Sequence, residues 1–291
     1  MGGGRYDFGS RKVRATSKGY DKVTSSNFKS SFRSTSKRIH QSLDPMGLRV
    51  RESRDNPGQE TMAILIGIDF TGSMGALPTQ LCKDGLPNML QNIFDAGIKH
   101  PQVAFMGIGD HECDRFPFQV SQFEISDEIL DECLTNMIPE GGGGGNSGES
   151  YLLSWYHAAM HTSIDCFEKR GQKGVLITIG DEPTLQILPA TAIRNIYRAP
   201  EAMDWTAEQL LAKAMEKYEV FHINMTCTPS GNRIKDNAWW KKHLGERFIN
   251  ESDYKNIAKI IARLTAQSTK SLGSKSDSTR DDQNDPTTHL L

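Results

Sequence analysis

The stretch ILIGIDFTGSMGALP, residues 64–78, decides the fold, because its run of five apolar residues ends abruptly in Asp69. Two hydroxyl side chains, Thr71 and Ser73, follow this carboxylate at alternate positions. An apolar run of this kind is typical of a strand that is buried on both faces, as in parallel sheets. Side-chain oxygens directly after such a strand can bind phosphate, hold a metal ion or cap the next helix.

Apolar strand patterns alternate with amphipathic helix patterns along the rest of the chain. Strands are predicted at 62–69, 102–109, 116–125, 173–183, 219–226 and 245–249. Helices are predicted at 77–97, 126–137, 151–170, 206–218 and 251–267. The third strand alternates apolar and polar residues after a short loop, which indicates an antiparallel edge strand. The sequence thus predicts an α/β fold with a Rossmann-like, doubly wound, mainly parallel six-stranded sheet and one antiparallel edge strand.

Oxygen-bearing side chains are predicted to meet at one edge of this sheet. In open α/β sheets the ligand site lies beyond the carboxyl ends of the strands, where Asp69 and Asp181 both follow an apolar run. The loop GGGGGNSGES leads into the helix at 151–170 and reaches the same edge. Without His or Cys at these points, a hard cation such as Mg²⁺ or Mn²⁺ is favoured over Zn²⁺.

We therefore predict a metal site, with an open coordination position that attracts an acidic side chain of a partner protein. Its ligands are drawn from three loops: Asp69, Thr71, Ser73, Asn146, Ser147 and Asp181. Ser150 is an alternative to Asn146 or Ser147 in the second loop. If the hydroxyls only cap a helix, the metal is not needed, but that interpretation leaves the two carboxylates without a role.

The pattern Asp69-Phe-Thr71-Gly-Ser73 resembles the metal-ion-dependent adhesion site of the von Willebrand factor type A (VWA) domain. The segments VRESRDNPG, EGGGGGNSGESY and ITIGDEP are similar to intracellular bacterial VWA proteins, and Asp181 matches the aspartate of the family's third loop. The family usually has a threonine after the second-loop glycines, where this chain has Asn146 and Ser147. The resemblance implies a binding module in an intracellular assembly. Such proteins often work beside ATPases of the AAA+ type. An ATPase partner would be a separate chain, because this chain has no Walker A motif.

Charge and composition divide the chain into three predicted parts. A basic, Ser/Gly-rich flexible arm covers 1–60, a VWA-like domain covers 61–267, and a disordered tail covers 268–291. Residues 1–42 hold ten Lys or Arg against two acids, a net charge of +8, which leaves −10 on the other 249 residues. Aromatic residues lie between the cations of the arm, so binding of nucleic acid or of an acidic surface is an alternative function.

The remaining composition bears on the compartment and on catalysis. Five widely spaced cysteines, no secretory signal and no long apolar run favour a cytoplasmic protein without a membrane span. We expect no enzymatic activity. A Mg²⁺-dependent phosphatase that is phosphorylated on Asp69 is a weaker alternative, since most such enzymes have a second carboxylate two residues later. This chain has Thr71 there.

Overall fold

A computed structural model describes residue 13 and residues 38–46, 50–52, 55–81, 86–138, 146 and 148–276. Most of the predicted arm, the glycines at 141–145, Ser147 and the chain beyond Ser276 lie outside these residues. The predictions of a flexible arm and a disordered tail fall largely on those segments. The described structure extends past the predicted domain at both ends, from a strand at 50–52 to a helix that ends at Ser276.

The secondary structure follows the predicted alternation of strands and helices. The strands are β1 (Val50–Glu52), β2 (Met62–Asp69), β3 (Pro101–Ile108), β4 (Phe118–Val120), β5 (Thr162–Ile164), β6 (Gly174–Gly180), β7 (Ile187–Leu188), β8 (Trp205–Thr206), β9 (Tyr218–Met225) and β10 (Phe248–Glu251). The helices are α1 (Leu77–Gln80), α2 (Leu86–Asp95), α3 (Asp127–Asn136), α4 (Tyr151–Met160), α5 (Asp165–Arg170), α6 (Ala190–Tyr197), α7 (Ala207–Lys217), α8 (Pro229–Ile234), α9 (Ala238–Leu244) and α10 (Ile257–Ser276).

Six of these strands form the central sheet, in the order β10-β9-β6-β2-β3-β4. All neighbouring pairs are parallel except β3 and β4, which are antiparallel. This confirms the prediction of a six-stranded, mainly parallel sheet with one antiparallel edge strand. The order is also compatible with a Rossmann-like fold, in which the chain builds one half of the sheet and then returns to build the other.

Helices cover both faces of the sheet, which is why its central strands are mostly apolar. Every residue of β2, β3 and β6 is buried. Alternate side chains of β2 point to opposite faces. Ile64 and Ile66 join a core that includes residues of α2, α3 and α10. Ala63 and Leu65 join the other core, with residues of α4, α6 and α7. Burying one such Ile or Leu side chain contributes about 1.5–3 kcal/mol.

The strand order places a topological switch point between β2 and β6. From β2 the chain proceeds to β3 and β4 on one side, and then crosses over to β6, β9 and β10 on the other. In parallel register Ile68 lies beside Ile179, so Asp69 and Asp181 leave the sheet at neighbouring points of the same edge. Loops that diverge at a switch point leave a crevice for a ligand.

The single helix predicted at 151–170 is wrong, because the structure divides this segment into α4, β5 and α5. Strand β5 pairs in parallel with β1, forming a separate two-stranded sheet. The Thr162 hydroxyl donates to the carbonyl of Ala158 at 2.6 Å and contacts the Tyr218 hydroxyl at 2.7 Å. Pairing with a strand more than one hundred residues earlier cannot be read from the local helical pattern.

Buried polar contacts fix the segment that precedes β2, within the part predicted to be an arm. The carboxylate of Asp55 accepts hydrogen bonds from the backbone amide of Thr61 at 3.2 Å and from Nε of Arg170 at 2.8 Å. The hydroxyl of Thr61 donates to the buried carboxylate of Glu52. Residues 50–52 and 55–61 are therefore part of the folded structure.

Candidate metal site

The loop after β2 is organised by the Asp69 carboxylate. Its Oδ1 accepts hydrogen bonds from the backbone amide of Thr71 at 2.9 Å and from the hydroxyl of Thr71 at 2.6 Å. Such a bond from an Asp side chain to the amide two residues later stabilises a tight turn. The Thr71 side chain does not cap the short 3₁₀ turn Gly72–Met74 that follows. Helix capping therefore does not explain this hydroxyl.

Ser73 connects the first loop to the third. Its hydroxyl donates to Oδ1 of Asp181 at 2.7 Å and lies 3.2 Å from the hydroxyl oxygen of Thr71. Four of the six predicted ligands, Asp69, Thr71, Ser73 and Asp181, thus form one connected group of oxygen atoms. Asp69 and Asp181 are fully buried, whereas Ser73 is exposed, so the group reaches solvent at Ser73.

Tyr151, the first residue of α4, supports this group and was not predicted to belong to it. The Tyr151 hydroxyl donates to Oδ2 of Asp69 at 2.7 Å. Its ring is fully buried and packs edge-on against the His222 ring, with centroids 4.8 Å apart. A β-carbon at Gly180 would lie 1.9 Å from the Tyr151 hydroxyl oxygen, so only glycine lets the tyrosine approach the site.

Two buried carboxylate oxygens near the site have no hydrogen-bond partner among the described residues. They are Oδ2 of Asp181 and Oε2 of Glu149. Unpaired buried acceptors are rare in folded proteins and lose the hydrogen bonds that water would supply. The two oxygens therefore offer lone pairs that a cation could use.

Several buried carboxyl groups lie close together at the site, and this raises their pKa values. Burial, followed by the charge of Asp181, raises the pKa of Asp69 to about 7. Burial also raises the pKa of Asp181 above its ordinary value, against the opposing effects of the Ser73 and Thr228 side chains. Burial and the charges of Asp69 and Asp110 raise the pKa of Glu149 to about 10. Buried carboxylates that repel one another in this way favour either protons or a cation.

The second-loop residues make their described contacts with the loop after β3. The Asn146 amide donates to Oδ2 of Asp110 at 2.6 Å and to the carboxylate of Glu112 at 2.8 Å. The Ser150 hydroxyl oxygen accepts a hydrogen bond from the backbone amide of His111 at 2.9 Å. These contacts do not join either residue to the Asp69 group, and Ser147 lies outside the described residues. The second-loop ligand remains a prediction.

The donor set fits a hard divalent cation. Carboxylate and hydroxyl oxygens are suitable ligands for Mg²⁺ or Mn²⁺, and the described part of the group contains no His or Cys. Among the described residues, no three His, Cys, Asp or Glu side chains form a metal-binding cluster on their own. The hydroxyls of Thr71 and Ser73 would have to contribute.

Sequence reasoning missed Tyr151 and Glu149, although both follow the glycine run directly. The signal for Glu149 was a carboxylate at the start of a helix that was predicted to face the site. No local signal identified Tyr151, because its position depends on Gly180 in a strand that follows much later in the chain.

No protein-family model matches this chain, and a search of curated proteins finds no match. Among solved structures, the pilus adhesin SpaC from Lactobacillus rhamnosus GG is similar, with a TM-score of 0.50 at 12% identity, over 78% of this chain. The chain spans about a third, 32%, of the length of that adhesin.

Two further structures are more distant. Proximal thread matrix protein 1 from the mussel byssus gives a TM-score of 0.43 at 9% identity, over 72% of this chain and 48% of its own. An aerotolerance-related membrane protein from Bacteroides fragilis gives a TM-score of 0.43 at 11% identity, over 71% of this chain and 99% of its own.

In the described part of this chain, no helix is both long and apolar enough to cross a membrane. The likeness to the adhesin concerns the fold alone and is consistent with a VWA-like fold.

Proposed function

We propose that this protein is a binding module that recognises a partner protein through a divalent cation, Mg²⁺ or Mn²⁺. Asp69, Thr71, Ser73 and Asp181 would hold the ion, with Glu149 beside it. The observation that carries the proposal is the buried Oδ2 of Asp181, which has no partner among the described residues and belongs to the connected group of oxygens. A bound cation would satisfy that oxygen and offset the repulsion between the carboxylates.

The partner contact follows from the exposure of the site. The group opens to solvent at Ser73, where an ion could take one more ligand from outside. A hard cation binds carboxylate oxygens well, so an acidic side chain of a partner would complete the coordination. By the VWA resemblance, the partner belongs to an intracellular assembly, with a separate AAA+ ATPase as one candidate. A cytoplasmic location is part of the same proposal.

Two other functions receive less support. A phosphatase that uses Asp69 as nucleophile is disfavoured, because this carboxylate is fully buried and both of its oxygens accept hydrogen bonds. We therefore propose no enzymatic activity. Nucleic-acid binding by the basic arm remains an alternative that falls mostly outside the described residues.

Metal binding is tested by calorimetric titration of Mn²⁺ and Mg²⁺ into the full chain and two variants, Ser73→Ala and Asp181→Asn. We expect each substitution to weaken binding by about tenfold or more, because each removes a ligand or its charge. Ser126→Ala is a matched control, since the Ser126 side chain makes no capping hydrogen bond at the start of α3. Unchanged affinity in both site variants would remove the metal from the proposal.

Partner recognition is tested separately, by capturing proteins on the immobilised chain in Mg²⁺ and eluting with EDTA. We expect at least one protein to be retained in Mg²⁺ and released by the chelator, and to be absent when Ser73→Ala is used as bait. If the same proteins are retained in EDTA and by this variant, the metal does not mediate recognition.

A further inference from the structure

A second concave site is formed against helix α6 by residues that do not belong to the Asp69 group. It is a cavity of about 580 Å³ between residues 38–46, the loop that follows β3, and α6. Its wall includes apolar side chains from each of these segments, among them Ile39, Phe116 and Ile196. Pockets for small molecules commonly enclose about 300–1,000 Å³ and combine an apolar wall with a few polar groups. The volume is therefore suitable for a small ligand.

Three arginines line the cavity: Arg38, Arg115 and Arg198. The guanidinium carbon of Arg115 lies 5.0 Å from the centre of the Phe116 ring, in a cation–π arrangement. Arginine presents several N–H donors in one plane and is well suited to phosphate and carboxylate groups. Arg38 belongs to the basic segment 1–42, whereas Arg115 and Arg198 lie in residues 43–291, which carry a net charge of −10.

Two aspartates also line the cavity, but each is engaged with the backbone of its own loop. Oδ1 of Asp44 accepts a hydrogen bond from the amide of Met46 at 2.9 Å. Oδ2 of Asp114 accepts one from the amide of Asp110 at 2.8 Å. Among the described residues that line the cavity, three arginines stand against two aspartates, a formal charge of +1. An anionic ligand is therefore a more suitable occupant of the cavity than the basic N-terminal segment of the same chain.

Arg198 has a further property that distinguishes it from the other arginines. It is the one described residue other than glycine with a positive φ, at 51°, and it ends helix α6 in the left-handed region. Glycine or asparagine is normally favoured at such a position. Its guanidinium has no hydrogen-bond or ion-pair partner in the described part of the chain. An arginine held at a conformational cost, beside a cavity, is consistent with a role in ligand binding.

We propose that this cavity binds a small organic phosphate that carries an aromatic group. The arginines contact the phosphate, and the apolar wall that includes Phe116 and Ile196 receives the ring. The cavity shares no lining residue with the Asp69 group, and its ligand would need no metal, so this proposal does not rest on the proposed function.

Adenosine 5′-monophosphate is a suitable probe, because it combines one phosphate with one aromatic base. Its binding to the full chain is measured by calorimetry in EDTA, so that a phosphate–metal contact at the other site cannot contribute. We expect saturable binding of the monophosphate, with adenosine and inorganic phosphate each at least about tenfold weaker, since each supplies half of the contacts.

Arg198→Gly separates ligand binding from folding. Glycine adopts a positive φ without strain, so the melting temperature should not fall, while affinity for the probe should weaken by about tenfold or more. Arg194→Ala is the matched control, because Arg194 is an exposed residue of the same helix that does not line the cavity. We expect this control to bind the probe as the wild type does.

Three results would overturn the proposal. The first is the absence of probe binding to the full chain, which would also be the outcome if another segment of the chain fills the cavity. The second is equal affinity in Arg198→Gly and wild type. The third is adenosine that binds as tightly as the monophosphate, which would leave the arginines without a function.

Discussion

The two aspartates of the candidate site differ in how their oxygens are used, although both are fully buried. Asp69 accepts hydrogen bonds at both oxygens, from Thr71 and Tyr151, and so fixes the positions of the groups around it. Asp181 accepts one bond, from Ser73, and leaves its second oxygen without a described partner. In the proposed metal site, Asp181 would therefore contact the ion directly, whereas Asp69 would help to hold it by orienting the hydroxyls.

Asp69→Asn should change how stability depends on pH in the metal-free protein. The pKa of Asp69 is raised from 3.8 to about 7, so its protonated form is favoured in the folded state. The resulting stabilisation is fully present below the ordinary pKa and is lost as pH rises through about 7. Because a tenfold change in proton affinity corresponds to about 1.4 kcal/mol, the loss amounts to roughly a few kcal/mol.

The measurement is urea unfolding of both proteins in EDTA between pH 4 and pH 8. Taking the difference between wild type and variant removes the contributions of groups that do not interact with Asp69, such as the buried His157 and His222. Asparagine can still accept from Thr71, so the local turn is retained. Parallel pH profiles for the two proteins would mean that Asp69 titrates normally.

At the scale of the residue, the sequence was sufficient to predict which side chains meet at the site when these are close in the chain or directly follow a strand. Asp69, Thr71 and Ser73 lie within five positions, and Asp181 follows a second apolar strand, so their proximity could be predicted. Glu149 and Tyr151 depend on how α4 packs against the end of β6. That packing depends on contacts between distant parts of the chain and has no local pattern.

At the scale of the element, the site depends on close contact between the start of α4 and the end of β6. Gly180→Ala should disturb it, because the added carbon would lie 1.9 Å from the Tyr151 hydroxyl oxygen. We expect a loss of about 1–3 kcal/mol in the free energy of unfolding, as is common for overpacking in a core. Metal affinity should fall as well, since a displaced Tyr151 no longer supports Asp69.

Gly107→Ala is the matched control for this prediction. Gly107 lies in β3, where an added β-carbon would be 3.5 Å from the Phe70 ring, an ordinary contact distance. Chemical denaturation and Mn²⁺ titration of the two variants provide the comparison. If both variants lose stability equally, the close approach of Tyr151 is not the cause.

The elements that were predicted from the sequence differ from those that were missed in how far apart along the chain their stabilising contacts lie. The four inner strands of the central sheet were predicted because burial on both faces makes each of them apolar over several residues. The short strand β5 was read as helix, since its only partner, β1, lies more than one hundred residues earlier. Helix α9 is not among the predicted helices, although Asn237 caps it by accepting from the amide of Trp240 at 3.0 Å.

At the scale of the whole molecule, the sheet places the candidate site at the switch point between β2 and β6, while the cores on both faces fix the strands that carry it. Without a cation, folding brings buried carboxylates together at this edge, which costs free energy. An ion that binds only the folded state would relieve that cost and stabilise the entire domain. Metal binding should therefore be visible in global unfolding.

We expect Mn²⁺ at about one hundred times its dissociation constant to add about 2.7 kcal/mol to the free energy of unfolding. For a domain of this size, that corresponds to a rise of about 5–10 °C in melting temperature. The rise should be reversed by EDTA, retained in Ser126→Ala and lost in Asp181→Asn, because only the last variant lacks the carboxylate with the unpaired oxygen. Differential scanning calorimetry of the three proteins, with and without Mn²⁺, measures this directly. An equal rise in Asp181→Asn would place the responsible ion elsewhere on the molecule and leave the switch-point site without a metal.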